Sequence, residues 1–153
     1  MRAALCIIRS LQRAKVPWML EHPHASYAFQ LAEVRRLRRS PGVSEVVLDQ
    51  RRFGSRWRKR TRLLIGNVEY DDVQCLRRLC TGSGGYCGNG KRHVVLQGSA
   101  GGRDRTAVAQ KYPGRLATAM ARVLTATAIA NVYNTAAAHP PNRREHQLSG
   151  EFG

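Results

Sequence analysis

Glu21 is the residue whose place in the sequence most clearly favours chemistry. It directly follows a short apolar run in the stretch WMLEHPH, and Pro23 fixes the backbone just after it. A carboxylate that ends a buried strand lies at the edge of a sheet, where α/β proteins bind ligands. Such an acid accepts hydrogen bonds from a substrate or exchanges a proton with it. The alternative is that Glu21 caps the next segment or pairs with an arginine.

A second candidate is the basic stretch of residues 50–67, QRRFGSRWRKRTRLLIGN, in which seven cationic side chains surround one tryptophan. Arginine binds phosphate through two parallel hydrogen bonds, and an exposed indole stacks on an unpaired base. The sequence therefore predicts a nucleic-acid contact made by Arg56, Trp57, Arg58, Arg60 and Arg62. The alternative is a charged, solvated surface with the indole folded back onto the core.

Three cysteines and one histidine form a third group: Cys75, Cys80, Cys87 and His93. Thiolates and imidazoles are the ligands of structural zinc, but such sites usually contain a tight Cys-x-x-Cys spacing that is missing here. A five-residue step along a predicted helix separates Cys75 from Cys80, so the two thiols should not meet. We therefore expect no closed zinc site. Zinc remains the alternative to small buried residues and a loop thiol.

The composition sets the class of protein. The chain has 153 residues, a formal net charge of +16 and an isoelectric point near 11.1, so it can form one modest core and attracts polyanions. DNA is the expected partner, with RNA as an alternative. No apolar run approaches the roughly 20 residues of a membrane span, and four cysteines without a secretory signal do not indicate a disulfide framework. We expect an intracellular protein, nuclear or cytoplasmic, that is neither secreted nor bound to a membrane.

The hydrophobic pattern predicts the helices and strands that would position these residues. Helices are expected at 1–15, 26–40, 71–80 and 105–133, the last broken at Pro113, and strands at 17–20, 43–49, 62–66 and 93–98. The first three strands should share one sheet. The second and third should be antiparallel, because the loop between them is too short for a parallel crossover. Residues 134–153 are predicted to form a disordered tail.

The order of these pieces resembles the later half of the catalytic domain of DNA cytosine-5 methyltransferases, especially the phage and mobile-element types. The resemblance rests on EHP in place of Glu-Asn-Pro, on VSEVVLD followed by FGSRWRKRTRLLIGN, and on KYPGRLATAMARVL. It covers roughly residues 16–125. It implies an α/β fold with a partial Rossmann-like methyltransferase sheet, a β-hairpin and flanking helices, in one domain over residues 1–133.

The resemblance also implies roles for individual residues. Glu21 would hydrogen-bond the Watson–Crick edge of a cytosine flipped out of the helix, which stabilises charge while the ring is attacked. Lys59 and Thr61 fall where the phage-like members carry Lys and Thr near the target base and its phosphate. His22 stands where the family has Asn, so the hydrogen bonding beside the base should differ.

Two parts of the family's machinery do not appear. The family attacks cytosine with the thiolate of a Pro-Cys motif and binds S-adenosylmethionine on a glycine-containing loop; here no cysteine follows a proline. We therefore expect a DNA-binding fragment that neither methylates nor binds S-adenosylmethionine alone. One alternative is a small basic nucleic-acid-binding protein without catalytic ancestry. Another is the accessory half of a split methyltransferase, completed by a second chain.

Overall fold

The computed structural model describes residues 1–138, which form a mixed α/β domain around a three-stranded sheet. The strands of this sheet are β1 (Trp18–Pro23), β2 (Val43–Asp49) and β3 (Arg60–Gly66). The helices are α1 (Arg2–Arg13), α2 (Ala32–Arg38), α3 (Arg105–Val108) and α4 (Gly114–Ala138), and two short strands, β4 (Ser99–Ala100) and β5 (Arg103–Asp104), pair with each other. Single 3₁₀ turns occur at Tyr27–Gln30, Gln50–Phe53 and Asp71–Leu76.

The expected Rossmann-like strand order is wrong. Neighbouring strands of a Rossmann-like sheet are parallel, whereas β3 lies between β1 and β2 and is antiparallel to both. The segment between β2 and β3 is too short to carry the chain across the sheet, so β3 must return beside β2 in the opposite direction. The prediction of one shared sheet with an antiparallel second and third strand is confirmed, as is the mixed α/β class with flanking helices.

The sheet separates two apolar cores. Val46 of β2 and Leu63 of β3 face the start of α4, where Leu116 and Val123 cover them. Leu64 faces the other way, towards α1 and α2. Because β3 is central and covered on both faces, its residues 63–65 are all buried and read as one apolar run instead of alternating with polar residues.

Several elements differ from the sequence predictions. Strand β1 continues to Pro23, so Glu21 lies inside the strand and does not end it as expected. The helix expected at 26–40 is a 3₁₀ turn followed by the shorter α2.

The helix expected at 71–80 is only the 3₁₀ turn Asp71–Leu76. Residues 77–80 form no helix, and the Cys80 backbone N–H bonds the carboxylate of Asp49 instead of a helical carbonyl. Residues 93–98 form no strand. The break at Pro113 is confirmed, with α3 before it and α4 after it. Helix α4 continues to Ala138, past the predicted end of the domain at residue 133; the rest of the predicted tail, 139–153, lies outside the described residues.

Helix α4 is longer and more apolar than its packing needs. By length and composition, residues 114–134 would suffice to cross a membrane, which the sequence pattern alone did not suggest. Core helices of water-soluble proteins meet the same criterion, and here Leu116 and Val123 pack on the sheet. The later part of the helix exposes Val132 and Tyr133 to solvent.

Position 66, at the end of β3, requires glycine because the Trp18 ring lies against its backbone. The strand register places it opposite Trp18, and a methyl group at Gly66 would overlap the indole ring. That ring is buried and fixed, because its Nε1 donates to Gln12 Oε1 at 2.6 Å. We expect Gly66→Ala to lower the free energy of unfolding by about 1–3 kcal/mol, measured by urea denaturation. Gly84→Ala measures the cost of a positive φ alone, since nothing lies near its Cβ position; equal losses in the two variants would contradict the overlap.

Candidate functional site

The basic stretch folds around Asp49, the last residue of β2. Its carboxylate is fully buried and accepts hydrogen bonds from Arg60 at 3.1 Å and Arg58 at 3.3 Å. The backbone N–H of Cys80 donates to the same carboxylate at 2.8 Å. Arg58 also donates to the carbonyl oxygens of Cys80 and Gly82. Asp49 therefore ties the hairpin to the glycine-rich segment that follows residue 80.

The balance of forces on Asp49 favours its charged form. Burial alone would raise the pKa of this carboxyl, but the hydrogen bond from Arg60, the backbone N–H of Cys80 and the positive charges of Arg60 and Arg58 together lower it below the ordinary value. A buried carboxylate that stays ionised needs such partners. The two arginines are therefore engaged in holding the fold.

Arg62 is also engaged within the protein. Its Nε lies 3.1 Å from a carboxylate oxygen of Glu45, as an ion pair, and its NH2 group lies 3.2 Å from His24 Nδ1. The guanidinium also lies over the ring of Phe29, 4.8 Å from the centroid. Burial lowers the pKa of His24, and the charges of Arg62 and Arg60 lower it further, so this ring nitrogen is held in the accepting form.

The remaining predicted nucleic-acid residues differ in exposure. Arg56 is exposed, and its backbone carbonyl accepts from Val94 N–H at 2.9 Å. Trp57 is half-buried, and its Nε1 is buried without a hydrogen-bond partner among the described residues. The indole is thus not a free stacking platform. Taken as whole residues, Arg56 is exposed and the other four predicted contacts are half-buried.

The three residues with roles implied by the resemblance lie on one face of the sheet. Glu21 is opposite Leu63 and Pro23 is opposite Thr61, so Glu21 and Thr61 share the face that α4 covers. Lys59 precedes Thr61 by two residues, and its Nζ donates to the carbonyl of Ala109 at 3.3 Å. His22 points to the opposite face, where it contacts Phe29 edge-on.

The segment between α3 and α4 lies beside Glu21. Burial raises the pKa of Tyr112 well above its usual range, and a hydrogen bond with Glu21 and the charge of Glu21 raise it further. The phenol therefore remains protonated and can donate to the carboxylate. The Glu21 Oε1 atom, in contrast, is buried without a partner among the described residues.

A second unpaired oxygen belongs to Gln50. The amide of this fully buried side chain donates through Nε2 to Thr61 Oγ1 at 3.3 Å, while its Oε1 has no partner in the part of the chain that the structure describes. Glu21 lies on β1 and Gln50 follows β2, the two strands that flank β3, and Thr61 of β3 lies on the same face of the sheet as Glu21. The two buried acceptors therefore belong to one face of the sheet, on either side of β3. Unpaired buried acceptors are costly, and they favour a ligand that brings hydrogen-bond donors.

A groove at the start of α4 carries positive charge. It encloses about 610 Å³ and is lined by Phe53, Thr118 and Cys75 among others. Its four arginines are Arg52, Arg78, Arg115 and Arg122. None of them forms an ion pair with a carboxylate among residues 1–138. Arg78 stacks on Phe53, which leaves the other three for an anionic ligand.

Three of the four Cys and His residues converge. The thiols of Cys80 and Cys87 lie 3.4 and 3.1 Å from His93 Nε2, and all three ligand atoms lie within 4.8 Å of one another. Cys75 is elsewhere: its exposed thiol donates to the carbonyl of Asp72. Cys75 and Cys80 do not share a helix as expected, because Cys80 lies beyond the end of the 3₁₀ turn at Leu76.

The environment of Cys80 favours its thiolate. Burial alone would raise the pKa of the thiol, but backbone N–H groups of Gly82 and Gly88, the Cys87 side chain and the positive charge of Arg58 lower it below its ordinary value. Cys87 has a cation of its own, since Arg51 Nε donates to its sulfur at 2.8 Å. The cluster is therefore an electropositive place for two thiolates.

Sequence reasoning missed the groove and Gln50. The groove arginines come from three distant parts of the chain, so no local pattern joins them. Gln50 stands in the quoted basic stretch, but its burial depends on the 3₁₀ turn that follows β2. Comparison with protein-family models, curated proteins and solved structures finds no match. Function is therefore inferred from the residues themselves.

Proposed function

We propose that this chain binds DNA and forms the base-recognition half of a site like that of the cytosine-5 methyltransferases. The observation that carries the proposal is the pair of buried, unpaired acceptor oxygens, Glu21 Oε1 and Gln50 Oε1, on one face of the sheet. Because the Pro-Cys nucleophile and the cofactor loop are absent from these residues, methylation and binding of S-adenosylmethionine would require a second segment or chain.

The two oxygens call for a ligand with hydrogen-bond donors. Cytosine presents its exocyclic amino group as a donor, and an acidic side chain is its usual partner. Uracil and thymine place a carbonyl oxygen at the same ring position, which would meet Glu21 with repulsion. Tyr112 and Lys59 stand beside the acid and the threonine, respectively, in the same part of the domain. This face is thus suited to an unpaired cytosine.

Binding the phosphate backbone of DNA requires cationic side chains, and the arginines of the groove are suited to this role. The groove begins at Gly114 and Arg115, two and three residues after Tyr112, which lies beside Glu21. A strand whose base contacts Glu21 would pass beside this groove. The arginines would then position the DNA without reading its sequence, while Glu21 would read the base.

The test compares binding of oligo(dC) and oligo(dU) of equal length by fluorescence anisotropy at neutral pH. The two ligands carry the same backbone charge and differ in the base edge. We expect tighter binding of oligo(dC), by about 1–3 kcal/mol of discrimination, and loss of that preference in Glu21→Leu. Leucine packs readily beside Leu63, its neighbour across the strand pair, so the variant should fold.

Glu69→Leu is the matched control, because Glu69 is exposed and the substitution removes the same charge. Both variants should bind all DNA slightly more tightly, since one negative charge is gone, but the control should keep the preference for cytosine. Equal affinity of the unmodified protein for the two oligonucleotides would contradict base recognition. It would leave the alternative of a basic module that binds only the phosphate backbone.

A further inference from the structure

The cluster of Cys80, Cys87 and His93 has the geometry of a metal site. Zinc–sulfur bonds of about 2.3 Å and zinc–nitrogen bonds of about 2.0 Å place neighbouring ligand atoms of a tetrahedral site roughly 3.5 Å apart. The two sulfur–nitrogen distances here are 3.4 and 3.1 Å, and the whole set lies within 4.8 Å. Two soft thiolates and one imidazole select zinc over magnesium or calcium.

The backbone around the cluster is already shaped for a metal. Cys87 N–H donates to Lys91 carbonyl at 2.7 Å, and Gly90 N–H returns to Cys87 carbonyl at 2.9 Å, which closes a tight turn. His93 N–H donates to Gly85 carbonyl at 2.7 Å, so Cys87 and His93 stand on opposite arms of a small hairpin. The sulfur of Cys80 accepts from backbone N–H groups of this same loop.

The charges around the cluster also suit a zinc ion. Two thiolates and a neutral imidazole balance the charge of Zn²⁺. Arg51 donates to the sulfur of Cys87, as outer-shell partners of metal-bound thiolates do. Arg58 binds the carbonyls of Cys80 and Gly82, so it fixes the backbone that presents the first ligand.

We propose that Cys80, Cys87 and His93 bind one Zn²⁺ ion through their two sulfurs and His93 Nε2, with water at the fourth position. Cys75 is not a ligand, because its thiol is exposed and bonded within the 3₁₀ turn. The ion fastens the glycine-rich loop of residues 81–93, which has few apolar contacts of its own, to the corner formed by Asp49 and Arg58.

Metal analysis of the full chain tests this proposal. The protein is purified without chelator, its zinc content is measured by mass spectrometry, and Co²⁺ is then exchanged for zinc. We expect one zinc per chain, and a cobalt spectrum with thiolate charge-transfer and tetrahedral ligand-field bands. Cys80→Ser, Cys87→Ser and His93→Asn should each weaken metal binding by at least about 100-fold. Cys6→Ser and Cys75→Ser, which alter exposed thiols outside the cluster, should leave it unchanged.

His93→Asn keeps the test valid if the cysteine variants do not fold. It retains both thiols, and His93 is partly exposed, so the substitution should disturb the fold little. Circular dichroism of α1 and α4 reports whether each variant is folded. The proposal is overturned if the folded protein binds no metal, or if Cys75→Ser removes the metal as fully as Cys80→Ser does. It is also overturned if thiol titration of the denatured, unreduced protein shows a Cys80–Cys87 disulfide in place of two free thiols.

Discussion

Asp49→Asn is expected to lower the free energy of unfolding by about 2–4 kcal/mol. The carboxylate is fully buried and is the shared acceptor of Arg58, Arg60 and the Cys80 backbone N–H. Asparagine has the same shape but no charge. Its N–H₂ group would face the N–H donors of Arg58, Arg60 and Cys80, with which it cannot form hydrogen bonds. The two guanidinium groups are 33% and 39% exposed, so water screens part of the loss and the estimate stays below that for a sealed ion pair.

Urea denaturation followed by circular dichroism measures this loss. Glu45→Gln is the matched control on the same strand, because Glu45 pairs with Arg38 and Arg62 but is 22% exposed. Water reaches the Glu45 carboxylate but not that of Asp49, so part of the Glu45 charge stays solvated in the folded protein and the control should lose less stability. Equal losses would mean that burial of Asp49 gives it no special role in joining the hairpin to the glycine-rich loop.

The same ion pairs predict how stability changes with pH. The pKa of Asp49 is lower in the folded protein than the value of about 3.9 in an unfolded chain, so folding favours the charged form. Its contribution is present above about pH 4 and is lost as pH falls through the folded-state pKa. The difference between the wild-type protein and Asp49→Asn should therefore shrink in acid. The lowered pKa of His24 also destabilises the fold below about pH 6.5, and slightly more in Asp49→Asn, because the charge of Asp49 raises the pKa of His24. The acid-range comparison is therefore made below about pH 4, where the Asp49 contribution is lost.

The central part of the fold follows from local patterns in the sequence. The loop between β2 and β3 is short, and this fixes their antiparallel pairing. The apolar spacing of Leu5 and Ile8 indicates α1, and Pro113 separates α3 from α4. The position of β3 between the other two strands could not be predicted, because it depends on which edge of the β2–β3 hairpin β1 joins. No local sequence pattern indicates which edge β1 joins.

The candidate site was only partly predictable for a related reason. The sequence predicts Glu21 at the end of its strand, but Glu21 lies inside β1. The segment that contacts Glu21 and Lys59, at Tyr112 and Ala109, is about 50 to 90 residues further along the chain. The arginines of the basic stretch illustrate the limit more sharply. Their number indicates a nucleic-acid surface, yet Arg58 and Arg60 are bound by Asp49, which precedes them by only about ten residues. The number of arginines in a stretch does not indicate which of them pair with a buried carboxylate.

The arginine groove predicts the largest effect on DNA binding. Replacing Arg52, Arg115 and Arg122 with alanine removes three cations that have no carboxylate partner among the described residues. Each phosphate contact contributes about 0.9 to the slope of log affinity against log salt for duplex DNA. The triple variant should thus lower that slope by roughly 2.7, and near 0.1 M salt its affinity should fall by about 10²–10³-fold. Arg78 is left in place, because it stacks on Phe53 and supports the fold.

The control is the triple variant of Arg9, Arg35 and Arg39, three exposed arginines in or next to the helices on the opposite face of the sheet. It changes the net charge by the same amount, so long-range attraction alone would weaken binding equally in both variants. Contact in the groove requires the slope to fall in the groove variant and to change by less than about one in the control. Similar slopes in both would show that DNA is held by net charge. A strand held in that way would have no fixed position relative to Glu21, so a preference for cytosine would then need another explanation.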